Sequence, residues 1–247
     1  MRHGQYGIGP LGGSMPPVTL TLLIANVAVF LLQSLPLVNQ IGMLEPGDVV
    51  RGQVWQLVTY GFLHGSLGHI LANGLALFFF GPIVERYLGK GKYLALIFSA
   101  ILTAGIAHTV IYLIAGYPSV GLVGFSGAVF AILVVALFVA PDSTVLLYAI
   151  IPMKLKTMVI LFLAWEVWMT FAQGLAGQVS HIGHLAGAVI GFAFMLAPRF
   201  LGGGGGGGRG RRRFSPKEKS QRLSMGHPGR SKNASDLYDD PHWKLDQ

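Results

Sequence analysis

The sequence predicts an all-α membrane protein whose core is a bundle of six transmembrane helices between disordered termini. Of its 247 residues, 52% are hydrophobic and only 11% are charged, which is far from the composition of a soluble globular domain. Several apolar segments reach or approach the roughly 20 residues that a helix needs to cross a bilayer. The chain contains no cysteine, so disulfide and thiolate chemistry are excluded.

Loops that contain proline, glycine or charged residues divide the apolar sequence into six predicted spans. These are residues 18–37, 69–87, 93–115, 123–140, 157–171 and 183–197. The segment 38–68 is less apolar but holds aromatic residues of the kind found at membrane interfaces, which predicts a long loop. The segment 142–156 contains an apolar run too short to cross a membrane, so it is predicted to be a loop as well.

The composition changes abruptly at the ends of this membrane domain, which is predicted to comprise residues 16–200. Residues 1–15 form a short Gly-rich N-terminal segment. Residues 201–247 contain seven consecutive glycines, typical of a flexible linker, followed by polar and basic sequence that predicts disorder. Much of the net charge of +8 lies in this tail. We expect the tail to contact anionic lipid headgroups rather than nucleic acid.

The distribution of basic residues predicts the orientation of the spans. Arg86, Lys90 and Lys92 lie between the second and third spans, and Lys154 and Lys156 lie between the fourth and fifth. Lysine and arginine are enriched in cytoplasmic loops, so both termini are predicted to be cytoplasmic. The short N-terminal segment and the six spans favour a prokaryotic plasma membrane, with an organellar membrane as the alternative.

With that orientation, polar side chains lie at the outward ends of three spans. His69 and Asn73 open the second span, four residues apart and therefore on one helical face. Ser126 opens the fourth span, and His181 and His184 open the sixth. Polar groups inside a membrane are costly unless paired, and so they indicate function. The serine and one histidine could act as nucleophile and general base, with His69 and Asn73 as donors to an oxyanion.

These residues resemble the rhomboid intramembrane serine proteases throughout the core, from about residue 18 to 199. The matching motifs are Gly124-Phe125-Ser126-Gly127, His64 with His69 and Asn73, Gly183-His184-Leu185-Ala186-Gly187, Gly81-Pro82-Ile83-Val84-Glu85-Arg86, and Val54-Trp55. The resemblance implies a serine endopeptidase that cuts transmembrane segments with a Ser126–His184 dyad and without an acidic third member. It also implies that His69, Asn73 and the backbone N–H of Ser126 hold the oxyanion. We expect no cofactor.

Two histidines open the sixth span, and the glycines that follow favour His184 as the base. Tight packing of the sixth span against the fourth favours small residues on the facing side. Gly187 and Gly191 follow His184 by three and seven residues, an arrangement that rhomboid proteases share, and His181 matches it less well. His181 is predicted to lie one turn outward, near the lipid headgroups.

Further residues are expected to support the site. Gly124 and Gly127 leave the hydroxyl of Ser126 little steric cover. Phe130 stands where the family often has tyrosine, so its ring can still stack on the catalytic histidine. Gly187 lies on the side of the sixth span that faces the fourth.

The remaining charged and histidine side chains receive structural interpretations. His64 is expected to tie down the first loop by hydrogen bonding, and Glu85 and Arg86 to anchor the cytoplasmic end of the second span. His108 is expected to be a satisfied polar residue of the core. Glu166 is the only carboxylate well inside the predicted membrane region, and no role is assigned to it.

Other functions stay as alternatives. A zinc site could draw on His181 and His184, but no carboxylate is expected near them to complete a hydrolytic site, so no metal is predicted. A rhomboid-like pseudoprotease would bind transmembrane clients without cutting them, and its expected mark is the loss of the serine or the histidine. A transporter or channel would predict broken helices or inverted repeats near the midplane, whereas the polar residues here cluster at one end of the spans.

Overall fold

The computed structural model describes residues 14–147, 151–174 and 180–200. Within these ranges the chain forms nine α-helices, a 3₁₀ turn at Tyr60–Phe62 and one antiparallel pair of strands. The helices are α1 Pro17–Leu32, α2 Pro36–Gly42, α3 Pro46–Val50, α4 Gln56–Thr59, α5 Leu67–Leu88, α6 Lys90–Ile114, α7 Ser126–Val139, α8 Leu155–Gln173 and α9 His181–Phe200. The strands are β1 Thr144–Leu147 and β2 Ile151–Lys154. The predicted tail 201–247 and residues 1–13 lie outside the described residues.

The six long helices coincide with the central parts of the six predicted spans. Three of them, α5, α6 and α8, are long and apolar enough to cross a membrane. The helices α1 and α7, and α9 as far as Ala197, are apolar but shorter. With 14 residues, α7 extends about 21 Å, against about 30 Å of bilayer hydrocarbon. Large apolar side chains such as Trp168 and Phe171 are 66% and 83% exposed, as expected for helices of an integral membrane protein.

The segment 38–68, predicted to be a loop, contains three short helices. The first predicted span also ends early, because α1 stops at Leu32 and Pro36 starts α2. Proline disfavours helical geometry in the residue before it, and Leu35 is accordingly extended. Proline likewise stands in the first turn of α3, where its missing N–H costs no helical hydrogen bond. The sequence therefore predicted the end of this region at α5, but neither its start after α1 nor its short helices.

The segment 142–156 contains the strands β1 and β2, so the prediction that it is a loop is wrong. These two short strands are the exception in a mostly helical structure. Val145 pairs with Met153, and Thr144 pairs with Lys154. Val145 is buried between the exposed Thr144 and Leu146, which is the alternation of a half-buried strand. An apolar run too short to cross a membrane thus satisfies its backbone groups by pairing with the following segment.

The start of α1 is held against the end of α5 by Glu85. The carboxylate of Glu85 accepts hydrogen bonds from the backbone N–H of Thr19 at 2.7 Å, from the hydroxyl of Thr19 at 2.8 Å and from the backbone N–H of Val18 at 3.1 Å. Arg86 donates to the carbonyl oxygen of Ser14 at 3.2 Å. A carboxylate at the N-terminus of a helix satisfies free N–H groups and complements the helix dipole.

The helix α7 occupies the centre of the bundle, and its backbone approaches that of α9 very closely. Every residue of α7 from Gly127 to Ala136 is buried. A Cβ atom added to Gly191 would lie 2.7 Å from the carbonyl oxygen of Ala131, and one added to Gly187 would overlap the carbonyl group of Gly127. Glycine is therefore required at both positions of α9, and this contact places the first turn of α9 beside the first turn of α7.

Replacing Gly187 by alanine should destabilise the fold, because the added methyl group meets the backbone of α7 and the helices must separate. Overpacking of this kind costs about 1–3 kcal/mol. We expect a lower thermal unfolding temperature for Gly187→Ala than for wild type, measured by circular dichroism in detergent micelles. The matched control is Gly74→Ala on α5, whose added Cβ would meet nothing within 4 Å. Equal unfolding temperatures for the two variants would contradict the packing described here.

Candidate active site

A cavity of about 910 Å³ lies among the helices α5 to α9. The polar side chains that line it include Ser126, His184, His69, Asn73 and Glu166. They come from the N-terminal turns of α5, α7 and α9 and from the middle of α8. The structure thus brings together the four residues for which the sequence predicted chemistry, and adds a carboxylate.

Ser126 and His184 are in direct contact. The Nε2 atom of His184 lies 2.7 Å from the Oγ atom of Ser126, which is the distance of a normal O–H···N hydrogen bond. The imidazole stacks on the ring of Phe130, with ring centroids 4.7 Å apart and an angle of 16° between the planes. The ring of His184 is therefore held by a stacking partner along its face and by Ser126 at its edge.

Gly124 allows the chain to turn into α7 directly beside His69. Its φ angle is +127°, a conformation that residues with a side chain rarely adopt. An added Cβ atom would lie 2.6 Å from Cε1 and 2.7 Å from Nε2 of His69. Gly127, on the opposite side of Ser126, packs closely as well, since a Cβ there would lie 3.1 Å from that of Ala104. The serine is consequently fixed by backbone geometry on both sides.

His69 and Asn73 face the cavity from the start of α5. Ser66 caps this helix by accepting a hydrogen bond from the backbone N–H of His69 at 3.1 Å, which fixes where the first turn begins. Asn73 is buried, and its Nδ2 atom has no hydrogen-bond partner among the described residues. A buried amide donor without a partner is costly, and here it is available to an oxygen atom in the cavity.

His64 ties down the first loop through its backbone and not through its ring. Its backbone N–H donates to Oε1 of Gln33 at 2.8 Å, and Nε2 of Gln33 donates to its carbonyl oxygen at 3.1 Å. Both ring nitrogens lack a partner among the described residues. The ring meets His69 edge to face at 5.0 Å. Burial, together with the neighbouring His69, lowers the pKa of His64 to about 4, so its ring is neutral at neutral pH.

Glu166 contacts both histidines of α9, which the sequence did not predict. Its Oε2 atom lies 2.6 Å from Nδ1 of His181 and 3.0 Å from Nδ1 of His184. The expectation that no carboxylate lies near these histidines is therefore wrong. His181 is only 6% exposed and is packed against Glu166, rather than lying free near the headgroups. The signal was present in the sequence, because a lone carboxylate in an apolar helix needs a polar partner.

The three side chains Glu166, His181 and His184 also have the composition of a metal site, since one ligand atom from each lies within 4.8 Å of the others. In a tetrahedral site with bonds of about 2.0–2.1 Å, ligand atoms lie about 3.3 Å apart. The contact of 2.6 Å between Glu166 and His181 is shorter than that. The spacing is that of a hydrogen bond between a carboxylate and an imidazole N–H.

His108 connects two segments next to the cavity. Its Nε2 atom lies 2.9 Å from the carbonyl oxygen of Val120, and its Nδ1 atom lies 3.2 Å from Oγ of Ser180. The ring also stacks on Tyr112. These contacts link the chain that precedes α7 to the residue that precedes α9, and they satisfy a polar side chain within the core, as the sequence predicted.

The arrangement has the parts required for acyl transfer. A serine hydroxyl contacts an imidazole that can take its proton. An unpartnered amide donor, Nδ2 of Asn73, lines the same cavity, and donors of this kind stabilise an oxygen that becomes negatively charged. The N–H of Ser126, in the first turn of α7, has no partner within the helix and points in the direction favourable for an anion.

Replacing Gly124 by alanine should slow the reaction of Ser126 with a fluorophosphonate, because the added methyl group would displace His69 and the turn before the serine. A displacement of about 1 Å typically costs about a hundredfold in rate. The matched control is Gly68→Ala, whose added Cβ would lie 4.0 Å from its nearest neighbour, Oγ of Ser66. Labelling measured by gel fluorescence should fall in the first variant and persist in the second. Equal labelling of both would refute the proposed need for glycine.

The comparisons with known proteins agree on one family. A family model described as the rhomboid domain matches residues 51–198. The chain is 30% identical to the rhomboid protease GluP of Bacillus subtilis over 151 residues, which are 61% of this chain and 27% of GluP. It is 31% identical to the putative rhomboid protease YdcA of the same organism over 142 residues, which are 58% of this chain and 67% of YdcA.

A plant relative matches over a longer part of the chain. Rhomboid-like protein 15 of Arabidopsis thaliana is 26% identical over 204 residues, which are 77% of this chain and 49% of that protein. The chain thus spans between about a quarter and two thirds of the length of these relatives. The family model covers more than half of the chain, including the N-terminal turns of α5, α7 and α9. This protein belongs to the rhomboid family.

Proposed function

We propose that the chain is a serine endopeptidase that cleaves transmembrane segments of other membrane proteins. The observation that carries the proposal is the contact of 2.7 Å between Nε2 of His184 and Oγ of Ser126 in a cavity enclosed by apolar helices. Curated relatives are named rhomboid proteases, which supports the same class of reaction.

The reaction proceeds in two acyl-transfer steps. Oγ of Ser126 forms a bond to the scissile carbonyl carbon while its proton passes to Nε2 of His184. The carbonyl π electrons move onto oxygen, and the resulting tetrahedral intermediate collapses as the C–N bond breaks and His184 returns the proton to the leaving amine. Water then attacks the acyl-serine, His184 takes a proton from it, and collapse releases the carboxyl product and restores the hydroxyl of Ser126.

The negative charge on the tetrahedral intermediate requires hydrogen-bond donors. The amide of Asn73, the ring of His69 and the backbone N–H of Ser126 are the groups that we assign to it. Support for Asn73 comes from its buried Nδ2 atom, which is free of any partner in the part of the chain that the structure describes. One such donor typically contributes about 10²–10³-fold in kcat.

The substrate class follows from where the cavity opens. Its lining includes Ala72 and Ala76 of α5 and Phe162 and Trp165 of α8. Trp165 is 58% exposed, which indicates that the cavity reaches the outer surface of the bundle beside α8. Of the three helices long and apolar enough to cross a membrane, α8 is the least buried. Only 22% of its most apolar 18 residues are buried, against 44% for α5 and α6. A substrate helix can approach from the lipid at this side, where its unwound segment reaches Ser126.

The proposal includes six crossings and cytoplasmic termini. Lys90 and Lys92 lie in the first turn of α6, and Lys154 and Lys156 flank the first residue of α8. These helix ends lie opposite to those that carry Ser126 and His184. Under the distribution of basic residues typical of cytoplasmic loops, the cavity opens towards the extracytoplasmic side. We further propose a prokaryotic plasma membrane as the location, and anionic lipid headgroups as the contact of the basic tail.

Replacing Ser126 or His184 by alanine should abolish cleavage of fluorescently labelled transmembrane substrates by the purified protein in detergent. The first change removes the nucleophile and the second removes the base, and either loss typically lowers kcat by at least about 10³-fold. The matched control is Ser99→Ala on α6, which removes the hydroxyl of a half-buried serine that does not belong to the cavity lining. This variant should cleave like wild type.

The experiment also separates the two rhomboid-type functions. Failure of wild type to cleave any of several substrates, together with failure of a fluorophosphonate to label Ser126, would contradict the protease proposal. A chain that behaved in this way and still bound transmembrane segments would be a client-binding pseudoprotease.

A further inference from the structure

Glu166 is a carboxylate in the apolar interior of α8, and its position requires an explanation. It is the twelfth of the 19 residues in this helix and is only 7% exposed. A charged side chain in such surroundings is costly unless it is paired. Glu166 is paired with His181 and His184, the two histidines of α9. His184 is also the histidine that contacts Ser126.

From this geometry we propose that Glu166 is a positioning residue for His184, so that the reacting group is Ser126–His184–Glu166 rather than a serine–histidine pair. The inference rests on the proposed function, because it assigns Glu166 a part in the same reaction. It differs from the resemblance described above, which implies no acidic third member.

The tautomer of His184 decides whether its Nε2 atom can accept the proton of Ser126. An ionised carboxylate can only accept hydrogen bonds. Its Oε2 atom lies 3.0 Å from Nδ1 of His184, so this contact is favourable only when Nδ1 carries hydrogen. Nε2 is then left without hydrogen and can accept the proton of Ser126, whose Oγ lies 2.7 Å away. Glu166 thereby selects the tautomer that the reaction needs.

A positive charge appears on His184 during the reaction. When Nε2 takes the serine proton, the imidazole becomes a cation in a largely buried site. The carboxylate beside Nδ1 then forms an ion pair with it, which is strong where water is excluded. The contact between Oε2 of Glu166 and Nδ1 of His184 does not meet the geometry of a hydrogen bond. The oxygen atom therefore lies to one side of the Nδ1–H direction. Hydrogen bonds of catalytic groups often tighten only as the reaction proceeds.

The carboxylate of Glu166 is itself held by His181. Nδ1 of His181 lies 2.6 Å from the same Oε2 atom, so a neutral His181 donates its Nδ1–H to the carboxylate. The second nitrogen of His181 has no partner among the described residues. His181 therefore fixes the carboxylate from one side, and the stack on Phe130 fixes the ring of His184. Among the described residues, the other titratable groups that line this cavity are His69, His108, Tyr60 and Tyr112.

Replacing Glu166 by glutamine tests the proposal, because the amide keeps the shape of the side chain but loses the charge. An amide can either donate or accept, so it no longer selects one tautomer of His184. Loss of the orienting carboxylate in Ser-His-Asp enzymes costs about 10⁴-fold in kcat. Since Phe130 still orients the ring here, we expect a fall of about 10²-fold in kcat with little change in KM. Glu166→Asp keeps the charge and should restore part of the loss.

The assay uses the full chain in detergent, with a fluorescent transmembrane substrate and kcat and KM measured separately. Glu45→Gln is the matched control, since it makes the same change before α3, and it should behave like wild type. In parallel, ¹⁵N NMR of histidine side chains, assigned with His184→Gln, reports the tautomer of His184. We expect Nδ1 protonated and Nε2 unprotonated in wild type, and a mixture of tautomers in Glu166→Gln.

The outcomes distinguish this inference from the proposed function. If wild type cleaves and Glu166→Gln matches Glu45→Gln in kcat, the role of Glu166 is refuted while the protease function stands. If Glu166→Gln loses activity with an unchanged tautomer and a lower unfolding temperature, the residue is only structural and the inference is overturned. If wild type cleaves nothing, the proposed function fails, and the assignment of Glu166 fails with it.

Discussion

The close approach of α7 to α9 is the constraint on which the site depends. Ser126 and His184 are separated by 58 residues, and each lies in the first turn of its helix. Their contact exists because Gly187 and Gly191 let the two backbones approach without an intervening side chain. A shift of about 1 Å between reacting groups typically costs about a hundredfold in rate. The packing of α7 against α9 therefore also sets the distance between Ser126 and His184.

Some buried polar groups of the bundle are fully hydrogen-bonded, whereas others, among them Asn26, Tyr93 and Asn73, have an atom without a partner among the described residues. Glu85 and His108 have their hydrogen bonds satisfied, and they join helices and loops that would otherwise meet only through apolar contacts. Asn73 has an unsatisfied donor in the cavity, which is a cost in the folded protein. Unlike Asn26 and Tyr93, Asn73 lines the cavity, where its donor can be satisfied when a charged oxygen binds beside it.

The sequence predicted the parts of the fold and site that depend on local pattern. Apolar segments located the six long helices, and the glycines after His184 indicated which histidine meets Ser126. Glu166 was recognised as unusual but could not be placed, because its contact depends on how α8 is rotated against α9. The strands β1 and β2 and the short helices before α5 were missed for a related reason. Short segments take their structure from packing and pairing with neighbours more than from their own pattern.

We propose that Ser126, His184 and the donors on α5 form one reaction centre. An experimental structure of the protein after reaction with a fluorophosphonate would test this proposal. We expect a phosphorus bonded to Oγ of Ser126, with the phosphoryl oxygen about 2.7–3.1 Å from Nδ2 of Asn73. We also expect His184 to stay stacked on Phe130. A folded protein whose Ser126 does not react, or an adduct whose phosphoryl oxygen points away from Asn73 and His69, would show that these residues do not form one reaction centre.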